Sequence, residues 1–164
     1  MKEIVINSFG MHVDAVRQLV SDVPNSDMYQ QPLGVPNHPA WTLGHLAYSF
    51  ESIGEEIGLS RTLPGDWGAR FGTGSVPATQ GDNGLSKPQL LQYVDEAGQR
   101  VRSRLVAMSA EDFSQPLPDV RYRDVFPTIG HAVTHILVGH TAVHIGQLMV
   151  WRRAMGLPTV TQVL

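Results

Sequence analysis

Residues 127–155, PTIGHAVTHILVGHTAVHIGQLMVWRRAM, hold four of the seven histidines of this 164-residue chain. The segment has no proline after its first residue and is followed by Gly156 and Pro158, a pattern that predicts one long helix. At about 100° per residue, His140 and His144 lie one turn apart on one face, opposite His131 and His135. His140 and His144 should point into the core, because apolar side chains flank them on that face: Ile129, Val133, Ile136, Leu137, Leu148 and Trp151.

Two imidazoles four residues apart on a buried helix face are suited to chelating one divalent ion. The alternative is a pair of core histidines, each hydrogen-bonded to a neighbour. A third inward imidazole on a facing helix would favour the metal. His45 is the candidate for that third ligand, and His12, beside Asp14 in a less apolar segment, is a weaker one.

The composition excludes several classes of function. A net charge of −3, 16% charged residues and a pI of about 6.1 leave no basic surface for a phosphate backbone, so we expect neither nucleic acid nor membrane as a partner. The chain has no cysteine, which removes disulfides, thiolate ligands and cysteine nucleophiles. The sequence shows no signal peptide and no continuous run of about 18 apolar residues, so we expect a soluble, cytoplasmic protein.

The rest of the chain predicts three more long helices, over residues 3–23, 39–57 and 86–108. Proline at position 39 suits a first helical turn, and Ser86 with Gln89 forms a capping-box pattern. No strand pattern competes. The sequence therefore predicts an all-α fold, a four-helix antiparallel bundle forming a single domain over residues 1–164.

A long connection, residues 58–85, separates the second and third helices and contains seven glycines. Connections of this length inside a compact domain are uncommon and are usually functional or loosely ordered. Trp67 and Phe71 should pin the segment to the body of the protein. It then either covers a site or packs without a functional role.

Three sequence motifs carry a resemblance to a known family. They are HPAWTLGHL at 38–46, FGTGS at 71–75 and HTAVHIGQL at 140–148. Together with the helix lengths, they resemble the DinB/YfiT-like superfamily of four-helix metal-binding proteins over nearly the whole chain. The resemblance implies that His45, His140 and His144 bind zinc, nickel or a similar divalent ion.

Two positions within these motifs need separate comment. Members of this superfamily often carry two adjacent histidines in the last motif, whereas here Val143 precedes His144. The ligands are present, but the extra imidazole is absent. His38 matches the first motif without being a ligand there, and we expect it to cap the second helix or to bond the loop.

Three imidazoles leave coordination positions of a divalent ion open for water or substrate. The superfamily that this sequence resembles includes characterised enzymes that use a low-molecular-weight thiol such as mycothiol or bacillithiol. The leading hypothesis is therefore a metal-dependent thiol S-transferase acting on a small-molecule substrate. The alternatives are a metal-dependent hydrolase and a non-catalytic stress protein that binds a metal or small molecule. No carboxylate falls at an evident general-base position, since Glu51 lies about 100° or more from His45 on the helix.

Several residues near the predicted ligands have two interpretations. Gln147 lies on the metal face, where it either supports a ligand or makes a packing contact. Arg152 and Arg153 either attract an anionic cosubstrate or, as we expect, are solvated charges at a helix C-terminus. The aromatic residues of these helices either line a pocket or pack in the core: Trp41, Tyr48 and Trp151.

A second, narrower apolar stripe on the last helix combines His131 and His135 with Val138, Ile145 and Met149. A helix that is apolar on two faces usually has two partners. One is a helix of the same bundle, and the other is a second subunit. The sequence therefore predicts a homodimer.

Overall fold

The computed structural model describes residues 2–78 and 84–160, and this part of the chain is helical without β-strands. The all-α prediction is confirmed. We number the helices α1 (Lys2–Ser21), α2 (Pro39–Glu56), α3 (Trp67–Phe71), α4 (Lys87–Ala107), α5 (Ala110–Ser114) and α6 (Ile129–Ala154). The four long helices coincide closely with the predicted segments.

Local sequence signals account for where the helices begin. His38 caps α2, since its Nδ1 accepts the backbone N–H of Trp41 at 3.0 Å. This confirms its predicted capping role. At the start of α4 the backbone N–H of Ser86 donates to Oε1 of Gln89 at 2.9 Å, as expected for a capping box.

Two pairs of neighbouring helices are antiparallel: α1 with α4, and α2 with α6. Lys2 at the start of α1 donates to carbonyl oxygens at the end of α4, at 2.8 Å for Met108, and Arg17 near the end of α1 pairs with Asp95. In the other pair, Asn37 just before α2 contacts Gln147 near the end of α6, and contacts shift towards the start of α6 as α2 advances.

Neighbouring helices α2 and α4 run parallel. Glu51 of α2 pairs with Arg100, and the carbonyl of Ile57 accepts from Nε of Arg104 at 2.8 Å, so contacts advance in the same direction on both helices. A parallel pair needs a connection that returns along the length of the bundle. The long segment after α2 is therefore this crossover.

The crossover is fixed to α2 by two aromatic residues, as predicted. Trp67 and Phe71 are fully buried. Nε1 of Trp67 donates to the carbonyl of Gly44 at 2.9 Å, and the Phe71 ring lies so close to Gly44 that a Cβ there would be 2.3 Å from it. Position 44 must therefore be glycine for the loop to sit on the helix. Residues 79–83, within the predicted connection, lie outside the described residues.

Helix α6 contains a widened turn. The residues His135–His140 form a π-helical segment between the α-helical parts Ile129–Thr134 and Thr141–Ala154. The Thr141 hydroxyl donates to the carbonyl of Ile136 at 3.0 Å. Such π turns are rare and frequently mark functional sites, and this one ends at a predicted metal ligand.

The residues of the second apolar stripe predicted on α6 do not share one environment in the structure. Ile145 is buried inside the chain and Val138 packs against the core, whereas His131 and His135 are exposed. The partner helix of the same bundle thus accounts for Ile145. By length and composition alone, α6 is also apolar enough to cross a membrane. Within the bundle, 33% of its most apolar window is buried.

Candidate metal centre

The three predicted ligands meet between α2 and α6. Nε2 of His140 lies 3.1 Å from Nε2 of His45 and 3.1 Å from Nε2 of His144. One ligand atom from each ring lies within 4.8 Å of the others. His45 and His144 are buried and His140 is half-buried. Two consecutive turns of α6 and one turn of α2 therefore aim three imidazoles at a common point.

The ring of His45 is held on both sides. Its Nδ1–H donates to the backbone carbonyl of Phe71 at 2.7 Å. Its face stacks on Trp41, with ring centroids 4.6 Å apart and planes 9° from parallel. Trp41 is fixed in turn, because its Nε1–H donates to Oγ of Ser75 at 2.9 Å. The crossover thus supplies the hydrogen-bond acceptor for this imidazole and, through Ser75, fixes the Trp41 ring that supports it. This arrangement leaves Nε2 of His45 free as a ligand.

The ring of His144 is held by α6 itself. Its Nδ1–H donates to Oε1 of Gln147 at 2.9 Å, and the Asn37 side-chain amide contacts the same oxygen at 3.4 Å. Gln147 therefore supports the ligand. Metal-binding histidines in general donate their second N–H in this way, which fixes the tautomer and the ring orientation.

The positions of the protons on the ring nitrogens test whether the cluster is only a group of hydrogen-bonded histidines. With Nδ1 of His45 and of His144 both donating, each Nε2 presents a lone pair towards His140. A proton on Nε2 of His140 can satisfy only one of the two. If the proton lies on Nδ1 of His140 instead, it meets no acceptor, because this buried atom has no hydrogen-bond partner among the described residues. Either way, at least one Nε2 lone pair at hydrogen-bond distance from His140 is left without a donor.

A cation resolves this conflict, because it accepts all three lone pairs at once. A tetrahedral zinc ion with bonds of about 2.0–2.1 Å to nitrogen holds its ligands about 3.3 Å apart. The two Nε2 separations of 3.1 Å are close to that value. The residues present thus fit a divalent ion, although the ion keeps the proton of His140 on Nδ1, where it has no acceptor among the described residues.

Burial keeps the three imidazoles neutral. It lowers the pKa of His140 to about 4 and that of His144 to about 3, with the neighbouring imidazoles adding to both shifts. Burial also lowers the pKa of His45, partly offset by its hydrogen bond to the Phe71 carbonyl. Near neutral pH no proton competes with a metal ion for these nitrogens.

Other sequence candidates have structural roles. His12 is buried in α1, with Nδ1 3.5 Å from the carbonyl of Leu137 in the π turn, and does not reach the cluster. Glu51, buried, pairs with Arg100 and accepts the backbone N–H of Thr62 at 2.8 Å. It tethers the crossover rather than serving the site.

The prediction for Arg152 is wrong. Its side chain is buried, and Nη2 donates to Oδ2 of Asp22 at 2.9 Å and to the carbonyl of Pro158 at 2.8 Å. It joins the end of α6 to the end of α1. Arg153 is exposed, as predicted. Trp151 is fully buried and donates to the carbonyl of Gln30, so it belongs to the core.

Sequence patterns did not reveal the carbonyl of Phe71, because a backbone acceptor carries no side-chain signal. The FGTGS motif marked the right segment without identifying the atom. Tyr48 is half-buried with its ring centroid 6.5 Å from that of His45, at the edge of the cluster.

A bundle of long helices with three inward imidazoles from two facing helices defines a class of helical proteins able to hold a metal ion. The sequence matches the DinB superfamily over residues 9–148, and the chain belongs to that superfamily. No curated protein and no solved structure matches it in the same comparisons.

Proposed function

We propose that His45, His140 and His144 bind one divalent ion, zinc or nickel, and that the protein is an S-transferase for a low-molecular-weight thiol. The observation that carries the proposal is the convergence of three Nε2 lone pairs with Nδ1 of His45 and His144 already engaged. A bound divalent ion supplies the chemistry of lowering a thiol's pKa, so that the thiol reacts as thiolate.

The surroundings of the cluster favour a ligand that brings its own negative charge. The groups bonded to the rings are a backbone carbonyl and a carboxamide, both neutral. Glu51, the buried carboxylate of α2, is neutralised by Arg100. Three neutral imidazoles around a divalent cation keep a local charge of two, which stabilises an anionic sulfur in this partly buried site.

The chain's own residues then have defined parts. The three histidines hold the ion, while Phe71 and Gln147 hold two of the rings in the ligating tautomer. Trp41 of α2, held by Ser75 of the crossover, supports the ring of His45. We propose that this crossover, fixed at Gly44, covers a small electrophile beside the cluster. We also propose a cytoplasmic location, where such thiols are abundant.

The test is turnover by protein reconstituted with zinc or with nickel. The assay follows transfer of mycothiol or bacillithiol to 1-chloro-2,4-dinitrobenzene: a C–S bond forms, the C–Cl bond breaks, and chloride and the thiol proton are released. Turnover should need both metal and thiol, and should fall to the background rate in His140→Ala. His131→Ala is the matched control and should retain the activity.

Two other results would contradict the proposal. Hydrolysis of nitrophenyl esters without added thiol would identify a hydrolase. Full metal occupancy without turnover of thiol or ester would identify a binding protein.

A further inference from the structure

The two parts of α6 on either side of the π turn bury different faces when residues are counted at a constant rotation. At about 100° per residue, measured from His131, the buried residues of the first part centre on about 150° and those of the second part on about 260°. The first set is Ile129, Ala132 and Val133, and the second is Thr141, His144, Ile145, Leu148, Trp151 and Arg152. A regular helix could not bury both sets equally well against one bundle, because their faces differ by about 110°.

The π turn removes this mismatch. Its backbone hydrogen bonds span five residues instead of four, so it holds about one residue more than an α-helical turn. One residue corresponds to about 100° of rotation, which is close to the difference between the two buried faces. The packing of the flanking parts therefore requires one extra residue between Val133 and His144. This packing alone does not fix the turn in which the extra residue lies.

The position of the extra residue decides whether His140 reaches the cluster. The π turn spans His135–His140, so His140 and His144 remain one α-helical turn apart beyond it. If the extra residue lay one turn later, His140 would keep the rotation of the first part and point about 100° away from its present direction. Its Nε2, which lies 3.1 Å from Nε2 of His45, would then leave the cluster.

The Thr141 side chain bonds across the π turn in a way that a regular helix does not allow. Its hydroxyl donates to the carbonyl of Ile136, five residues earlier, at 3.0 Å. In an α-helix a threonine hydroxyl reaches the carbonyl three or four residues earlier. Thr141 is fully buried, and a buried polar group left without a partner is costly. The bond therefore stabilises the π turn at the position immediately before Thr141.

We propose that Thr141 is a positioning residue, whose hydroxyl fixes the π turn before His140 and so brings that imidazole to His45. The inference rests on the proposed metal binding, although the placement of the His140 ring can be measured without an ion. A second side chain supports the same turn, since Nδ1 of His12 in α1 lies 3.5 Å from the carbonyl oxygen of Leu137. A contact of this length is weak, so Thr141 has the larger effect.

Replacing Thr141 with valine tests the proposal, because valine removes the hydroxyl and keeps the branched shape. The probe is cobalt(II), whose visible absorption depends on the number and arrangement of its ligands. If His140 occupies the ligating position a tenth of the time in Thr141→Val, the apparent dissociation constant for cobalt rises about tenfold. The absorption of the bound ion should change as well, since one imidazole no longer holds its place. Thr141→Ala, which also lacks the hydroxyl, should give the same result.

The conservative variant and a matched control separate positioning from general destabilisation. Thr141→Ser keeps a hydroxyl, so its cobalt affinity should lie within a factor of about two of the wild type, with the wild-type absorption. The control is Thr134→Val, at an exposed position just before the π turn, which should change neither property. Far-UV circular dichroism and thermal melts verify that every variant is folded.

Crystal structures of the metal-free proteins measure the placement of His140 directly. In the wild type and in Thr141→Ser the π turn should end at His140, with its Nε2 beside that of His45. In Thr141→Val the π turn should lie elsewhere along α6, or the His140 ring should point away from His45.

Three results would overturn the inference. The first is a Thr141→Val protein with the cobalt affinity and absorption of the wild type, and the second is a metal-free Thr141→Val structure with the π turn and the His140 ring unchanged. The third is a loss of affinity that Thr141→Ser shares, because the hydroxyl would then not be the cause. Wild-type protein that binds no cobalt would contradict the proposed metal binding instead, and the metal-free structures would still decide whether Thr141 places His140.

Discussion

Replacing Gln147 with leucine should weaken metal binding without removing a ligand. In the ion-bound state Nε2 of His144 is a ligand, so its proton must stay on Nδ1, where Gln147 accepts it at 2.9 Å. Leucine leaves this buried N–H without an acceptor, at a cost of about 1–3 kcal/mol. In the metal-free state the proton can move to Nε2 and bond to His140, 3.1 Å away. The penalty therefore falls mainly on the bound state.

The expected effect is a dissociation constant about 10–100 times higher, which corresponds to about 1.4–2.8 kcal/mol. Competition with a chromophoric chelator measures it. Gln147→Glu keeps an acceptor and adds negative charge, so its affinity should equal or exceed that of the wild type. Gln99→Leu, at an exposed position of α4, is the matched control. An affinity of Gln147→Leu within a factor of about two of the wild type would refute the reasoning.

Two further predictions concern stability in urea unfolding. Gly44→Ala should destabilise the fold by about 1–3 kcal/mol, because its Cβ would lie 2.3 Å from the Phe71 ring, whereas Gly10→Ala, with its nearest contact at 3.7 Å, should stabilise it slightly. Equal effects at the two positions would contradict the close packing at Gly44. The hydrogen bond to Arg152 lowers the pKa of Asp22 below 3.8, so this pair stabilises the fold above about pH 4 and the benefit is lost as the pH falls through the lowered pKa. Asp22→Asn should therefore be less stable than the wild type at pH 7, with the difference fading in acid; a difference independent of pH would contradict this role.

The ligands could be predicted from sequence because their geometry is local. His140 and His144 are separated by one helical turn, and their facing depends only on the residues around them. His45 lies in the middle of α2 with aromatic neighbours on its face, whereas His12 lies in a less apolar segment, and the superfamily resemblance agreed with His45. Helix boundaries followed from proline, glycine and capping residues for the same reason.

Features that depend on distant contacts could not be predicted. Arg152 is buried because Asp22 lies at the end of α1, far away in sequence. The prediction of the second stripe on α6 assumed a constant rotation per residue and so combined residues from both sides of the π turn. The π turn changes the phase between the two parts, so Ile145 faces the core while His131 faces solvent. No periodicity measured along the chain reports such a change.

The central claim is that three imidazoles share one ion, and metal content after reconstitution tests it most directly. Elemental analysis, with an anomalous-scattering map of crystals of the same protein, should find one divalent ion per chain bonded to His45, His140 and His144. Alanine at each of these positions should remove most of the metal, and His131→Ala should remove none. Wild-type protein that takes up no metal on reconstitution, or equal metal loss from His131→Ala, would contradict the account.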